Sequence, residues 1–221
     1  MSNPSAHQEL ARLIEHTMRH SRATRADIER HCAEARTQGF ASVCLNGSRV
    51  MQAIHLLEES DVKVACAVGF PLGASDTDVK RFETESAIDH GAHFIEVTAN
   101  LGWLKDGDDA RVLREFRDVV EAADERPVSL QLEAAFLSVD ELQRATALAV
   151  EAGMKGVTIT VTLGGSTLIE FVKAVREVVP ESFGIKADQL GLKLPDSVAL
   201  LEAGATRFGL VESVPLMESF K

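Results

Sequence analysis

Lys186, in the segment GIKAD, is the residue of this chain with the clearest chemical potential. It stands between Ile185 and Ala187, whereas surface lysines belong on helices and loops. An ammonium is costly to bury unless carboxylates pair with it. Glu96, Glu133 and Asp188 occupy matching positions in alternating segments and can supply that pairing. As a neutral amine, Lys186 would attack a carbonyl and form a Schiff base. As an ammonium, it would polarise the carbonyl, or serve only as a structural ion pair between strands. Burial lowers a lysine pKa and nearby carboxylates raise it, so several acids work against the neutral nucleophile. Glu96 and Glu133 fit a general acid/base pair if their environments drive their pKa values apart; they fit equally well as counter-charges. Hard oxygen ligands on Glu96, Glu133 and Asp188 would suit a divalent cation. No histidine–carboxylate motif accompanies them, so neither metal nor cofactor is assigned.

These residues need a frame that turns them to one place. Five stretches alternate polar and apolar residues: Ser42-Cys44-Asn46, Glu96-Thr98-Asn100, Ser129-Gln131-Glu133, Thr158-Thr160-Thr162 and Lys186-Asp188 form the polar sets. Val43, Leu45, Ile95, Val97, Leu130, Leu132, Ile159 and Val161 stand between them. A period of two means strands. Helical patterns separate the strands, and the resulting crossovers imply parallel pairing. One apolar face packs on helices, so the polar face must be enclosed. A closed parallel barrel meets both demands, with its reactive groups at the carboxyl ends of the strands.

A weak repeat agrees. Gly39, Gly91, Gly153 and Gly204 each end a helix before a strand, at spacings of 52, 62 and 51 residues, about two strand–helix units apiece. That predicts roughly eight strands: 13–17, 41–46, 63–68, 94–99, 128–133, 157–161, 184–187 and 206–210. The helices fall near 24–37, 47–58, 76–90, 109–124, 138–152, 166–178 and 195–203, with Ser138 and Thr77 near helix starts. Strand 13–17 is ambiguous, because LARLIEHTMR reads equally as helix. An open doubly wound sheet is the alternative fold. It would carry a glycine-rich nucleotide turn that NGSRV, after the second strand, does not provide.

The whole chain, 1–221, reads as one α/β domain with a short N-terminal helical extension. A net charge of −11 argues against nucleic acid and anionic membranes as partners. No apolar run approaches the ~20 residues of a membrane span, and the N-terminus lacks a signal-peptide pattern. Cys32, Cys44 and Cys66 have no metal-ligand spacing and suit reduced thiols of a cytoplasmic protein. Cys44 reads as core rather than nucleophile. His16 is a weaker functional candidate, and His55, His90 and His93 read as solvated.

The chain resembles the deoxyribose-phosphate aldolase family of class I aldolases. The resemblance lies in LARLIEHT around 13–17, GFASVCLNGSRV at 39–50, VKVACAVGFPLGASDTDVKRFETESAIDHGAHFIEV at 62–97, NLGWLKDGD at 100–108, GIKA at 184–187 and LEAGATRFG at 201–209. It implies a barrel, reversible carbon–carbon cleavage of deoxyribose 5-phosphate, and commonly a homodimer. It also marks departures. The family's Schiff-base lysine falls on Thr158, and a third lysine falls on Ser129. The family's second lysine survives as Lys186, its catalytic aspartate becomes Glu96, and the first-strand Asp-His-Thr reads Glu15-His16-Thr17. The chain has no tyrosine and ends Glu218-Ser219-Phe220-Lys221. The phosphate segments read Lys186-Ala187-Asp188-Gln189-Leu190 and Gly209-Leu210-Val211-Glu212-Ser213, so Asp188 and Glu212 would repel a dianion.

The expectation is a redirected lyase on a small, non-phosphorylated carbonyl substrate with a hydroxyl-rich or amine-bearing end. Lys186, Glu96, Glu133 and Thr158 would be catalytic. Asn46, Asn100, Thr160, Asp188, Glu212, Cys44 and Glu15 would line the substrate. The alternatives are an acid–base dehydratase, isomerase or cyclase, and a catalytically silent barrel.

Overall fold

The computed structural model describes residues 4–161 and 167–219. Thr162, the last of the sixth-strand polar set read above, lies outside the described residues, as do Phe220 and Lys221. The first half of the chain runs α1 (Pro4–Ala11), β1 (Ile14–Met18), α2 (Arg25–Gln38), β2 (Ser42–Asn46), α3 (Val50–Leu57), β3 (Lys63–Val68), α4 (Thr77–Asp89) and β4 (Phe94–Thr98). Then come α5 (Leu101–Lys105), α6 (Asp109–Ala122), β5 (Val128–Glu133), α7 (Val139–Glu151), β6 (Gly156–Thr160) and α8 (Thr167–Val178). The last elements are β7 (Gly184–Asp188), α9 (Leu194–Glu202), β8 (Arg207–Leu210) and α10 (Ser213–Glu218).

The eight strands pair in chain order, all parallel, and β8 closes on β1. This is the predicted (β/α)8 barrel, with α1 as the N-terminal extension. The ambiguous LARLIEHTMR resolves by position. Leu10 and Ala11 finish α1, while Glu15 pairs between Ser42 and Gly209. Two short helices, α5 and α10, were not visible in the sequence. At five and six residues they are too short to show a 3.6-residue period.

The alternation does what it implied. Val43, Leu45, Ile95, Val97, Leu130, Leu132, Ile159, Ile185 and Phe208 point outward and are completely buried under the helices. Each such side chain contributes about 1.5–3 kcal/mol of burial free energy. Local signals stop and start the covering helices. A capping box links Thr24 and Asp27 at α2, and another links Ser138 and Glu141 at α7. Asp76, not Thr77, caps α4; the Thr77 hydroxyl turns instead to Glu115 at 3.4 Å.

Behind β4, Lys80 of α4 is wholly buried. Its Nζ donates to the Thr98 carbonyl at 2.9 Å and to Glu115 Oε1 at 2.7 Å. Gly73, at φ +64°, packs so tightly that a Cβ there would lie 2.0 Å from the Ala99 carbonyl oxygen. The GFPLG loop is thereby held against the carboxyl end of β4, which fixes Phe70 at the rim.

Candidate active site

The polar residues of β1, β4, β6 and β7 meet on the barrel axis. Lys186 Nζ donates to Glu15 Oε1 and Glu96 Oε1 in close ion pairs. Thr158 Oγ1 donates to Glu96 Oε1 at 3.0 Å, Ser42 Oγ to Glu15 Oε2 at 3.0 Å, and Cys44 Sγ to Glu96 Oε2 at 3.5 Å. The register makes this meeting possible: Thr158 stands opposite Lys186, and Glu15 opposite Ser42. All six side chains of this cluster are buried.

The charges settle as follows. Burial alone would push the Lys186 pKa down, but Glu15 and Glu96 outweigh it and hold the ammonium above the ordinary lysine value. Burial, with the neighbouring charge of Glu96, raises the Glu15 carboxyl against the pull of Lys186. For Glu96 burial also pulls upward, yet Lys186 and Arg19 prevail and hold it below the usual carboxylate range. Two carboxylates of one cluster are thus driven apart, one towards an acid and one towards a base. Burial and Glu96 raise the Cys44 thiol well above its usual value, so it is no nucleophile as it stands.

Arg19 forms the roof. It salt-bridges Asp188 at 2.5 Å, lies 3.8 Å from Glu96, and stacks over the Phe70 ring at 4.6 Å. Asn46 Nδ2 holds its carbonyl at 3.0 Å. The sequence reading missed this arginine, though the signal was there. Glu15, Thr17 and Arg19 continue one alternation beyond the end assigned to the strand.

Pairing therefore differs from expectation. The counter-ions of Lys186 are Glu15 and Glu96, not Glu133 or Asp188. Glu133, at the end of β5, accepts from the Ala135 amide at 3.4 Å and starts a 3-10 turn. Asp188 is answered by Arg19, so its repulsion towards an anion is largely cancelled. Asn100 caps α5 through the Trp103 amide at 3.3 Å. Thr160 accepts from Gln131 Nε2 at 3.5 Å, and Glu212 is exposed at the start of α10.

His16 faces outward. Its Nδ1 lies 2.9 Å from Ser213 Oγ, its Nε2 lies 3.0 Å from Glu34, and its ring stacks on His31 at 3.7 Å. His93 is not simply solvated, because its Nδ1 accepts from the Val64 amide at 3.1 Å. Two groups of side chains are close enough to share an ion: His16-His31-Glu34 and Glu15-Cys44-Glu96. In the second, the Lys186 ammonium already fills the cation's role. In the first, the near-parallel rings cannot aim their lone pairs at one point.

The geometry is thus a closed parallel barrel with a lysine bridging two carboxylates on its axis. Comparison with known proteins places it more closely. A family model described as DeoC/LacD family aldolase matches residues 10–153. The chain is 42% identical to the deoxyribose-phosphate aldolase of Alkaliphilus oremlandii over 215 residues, 96% of each chain. It is 40% identical to that of a Geobacillus species over 212 residues, 95% of each. The solved tetrameric deoxyribose phosphate aldolase of Aeropyrum pernix superimposes with a TM-score of 0.87 at 27% identity, covering 96% of this chain and 91% of that one. The chain belongs to the DeoC/LacD aldolase family, whose members are lyases. Among its described residues, no helix is long and apolar enough to cross a membrane.

Proposed function

We propose that the protein is a lyase that makes or breaks a carbon–carbon bond beside the carbonyl of a small, hydroxylated substrate without a phosphate group. The observation that carries this reading is the Lys186 ammonium clamped between Glu15 and Glu96, with the Thr158 hydroxyl on Glu96.

In the cleavage direction Glu96, which Lys186 and Arg19 keep ionised, takes the proton of the substrate's β-hydroxyl. The Cα–Cβ bond breaks and its electron pair passes to the carbonyl, forming an enolate that the Lys186 N–H groups stabilise. Glu15, the carboxyl held upward, delivers a proton to the enolate carbon. Glu96 ends protonated and Glu15 ionised, so one proton must pass between them before the next turnover. Lys186 bridges the two.

Three buried polar atoms above the cluster have no hydrogen-bond partner: Thr98 Oγ1, Gln131 Oε1 and Arg19 Nη1. Buried polar groups need partners, and substrate hydroxyls supply both the donors and the acceptor these atoms lack. Arg19 is committed to Asp188, so its charge is already answered before an anion arrives. A second reading, with Lys186 as imine-former, has one observation in its favour: Glu15 adjoins Nζ and is disposed to accept a proton.

The test compares deoxyribose 5-phosphate with its unphosphorylated sugar, with borohydride present or absent. The expected result is faster cleavage of the unphosphorylated sugar, no borohydride-trapped adduct at Lys186, and residual activity in Lys186→Arg. Preference for the phosphorylated sugar refutes the substrate class. A trapped adduct at Lys186, with an inactive Lys186→Arg, moves the chemistry to the imine.

A further inference from the structure

Fold logic puts access to a (β/α)8 site at the carboxyl ends of the strands. In this barrel Arg19, Asp188 and Phe70 lie across that end, over the cluster. The opposite end is open. A cavity of about 260 Å3 reaches from the amino ends of β5–β8 up to Glu15, Glu96 and Lys186.

Its size follows from small residues. Ser129, Gly156 and Gly184 sit side by side at the starts of β5, β6 and β7, all facing the axis. The resemblance read from the sequence implies a family lysine at Ser129 and another at Thr158. Both replacements are short, and both side chains line this space. At the mouth, Lys155 and Arg207 are exposed.

The wall is polar where it meets the cluster. Lys186 has three N–H donors, and its hydrogen bonds to Glu15 and Glu96 use two. Ser129 and Thr158 bring hydroxyls. A cavity of this volume, with several polar partners, holds water; dry cavities of similar size are lined by apolar groups.

We propose that the cavity is a water-filled second entrance through which Lys186, Glu15 and Glu96 exchange protons with solvent from the amino face of the barrel. The route stands on the cavity and the roof alone. Its use in catalysis rests on the lyase reading above, where its water gives the proton returning from Glu96 to Glu15 a path beside Lys186 without lifting Arg19 from Asp188.

The experiment measures hydrogen exchange of the Lys186 ammonium by nitrogen-15 NMR on the full chain. It needs no substrate, so its failure is separate from failure of the proposed reaction. Ser129→Leu fills the passage, and Ser129→Ala leaves it open. Gly184→Val is a second plug, because a Cβ at Gly184 meets its nearest neighbour, the Lys155 carbonyl oxygen, at an ordinary 3.5 Å. Exchange broadening counts as fast exchange. The expected result is at least a tenfold slowing in Ser129→Leu, or in Gly184→Val should the first not fold, with Ser129→Ala like the unsubstituted protein. Equal rates in plugged and open variants overturn the proposal, as does acceleration on Arg19→Ala with no response to either plug. A crystal structure with no water within hydrogen-bond reach of Lys186 Nζ on the amino side overturns it as well.

Discussion

Replacing Lys186 by methionine removes the cation that bridges Glu15 and Glu96. At an effective dielectric of about 20, unit charges about 4 Å apart interact by about 4 kcal/mol. Two such attractions disappear and the repulsion between the carboxylates remains. Arg19, 3.8 Å from Glu96, attracts both carboxylates but is already paired with Asp188, so it compensates only in part. The variant escapes by binding a proton, and Glu15 is the acceptor because burial and Glu96 already raise its pKa. Breaking a buried pair in this way costs about 3–5 kcal/mol. The pH dependence gives the effect its signature. A carboxyl with a raised folded-state pKa binds more protons folded than unfolded, so its stability contribution is present at low pH and is lost as pH rises. Chemical denaturation from pH 4 to 8 should find Lys186→Met closest to the unsubstituted protein near the unfolded glutamate value of about 4.3. The deficit should then grow by about 1.4 kcal/mol per pH unit between the raised Glu15 pKa of the unsubstituted protein and the higher one of the variant. A deficit independent of pH, or one below about 1 kcal/mol at pH 7, would refute the claim that this ammonium holds two ionisable carboxylates together.

Arg19→Met should destabilise the fold by about 2–4 kcal/mol by leaving Asp188 unpaired. Adding Asp188→Asn should restore part of that loss, with a coupling of about 1–3 kcal/mol in a double-mutant cycle. Glu115→Gln strands the buried Lys80 ammonium and should cost about 3 kcal/mol or more in denaturant unfolding, although it lies outside the barrel axis. Burial and neighbouring His16 lower the His31 pKa to about 3. Its stability contribution is therefore full above the unfolded value of about 6.5 and falls as pH drops towards 3, by about 1.4 kcal/mol per unit. His31→Gln should flatten that acid limb, and an unchanged limb counts against the assignment.

The frame was legible because alternation is a property of adjacent residues. Val43 and Leu45 announce an outward apolar face whatever they pack against, and Gly39 announces a helix end wherever the next strand goes. Strand β3 and strand β5 match their predicted spans residue for residue. The site was legible in residue type but not in partnership. Which carboxylate reaches Lys186 depends on register around a closed ring. Glu15 comes from the first strand and Lys186 from the seventh, joined only through β8. Glu133 is on a properly polar position, but one residue later the chain turns into a 3-10 helix and the carboxylate caps it. Arg19 lay hidden because the first strand also satisfied a helical pattern, which ended the strand assignment before the arginine. The cavity was beyond the sequence altogether, since an empty space is defined by side chains from several strands at once.

The most direct measurement is a pH titration of the Lys186 side-chain nitrogen and its adjacent carbon by NMR in the substrate-free protein. The account predicts an ammonium that persists at least to the ordinary lysine value of about 10.4, because Glu15 and Glu96 hold its proton. A neutral amine at pH 8 would contradict it and return Lys186 to the role of nucleophile.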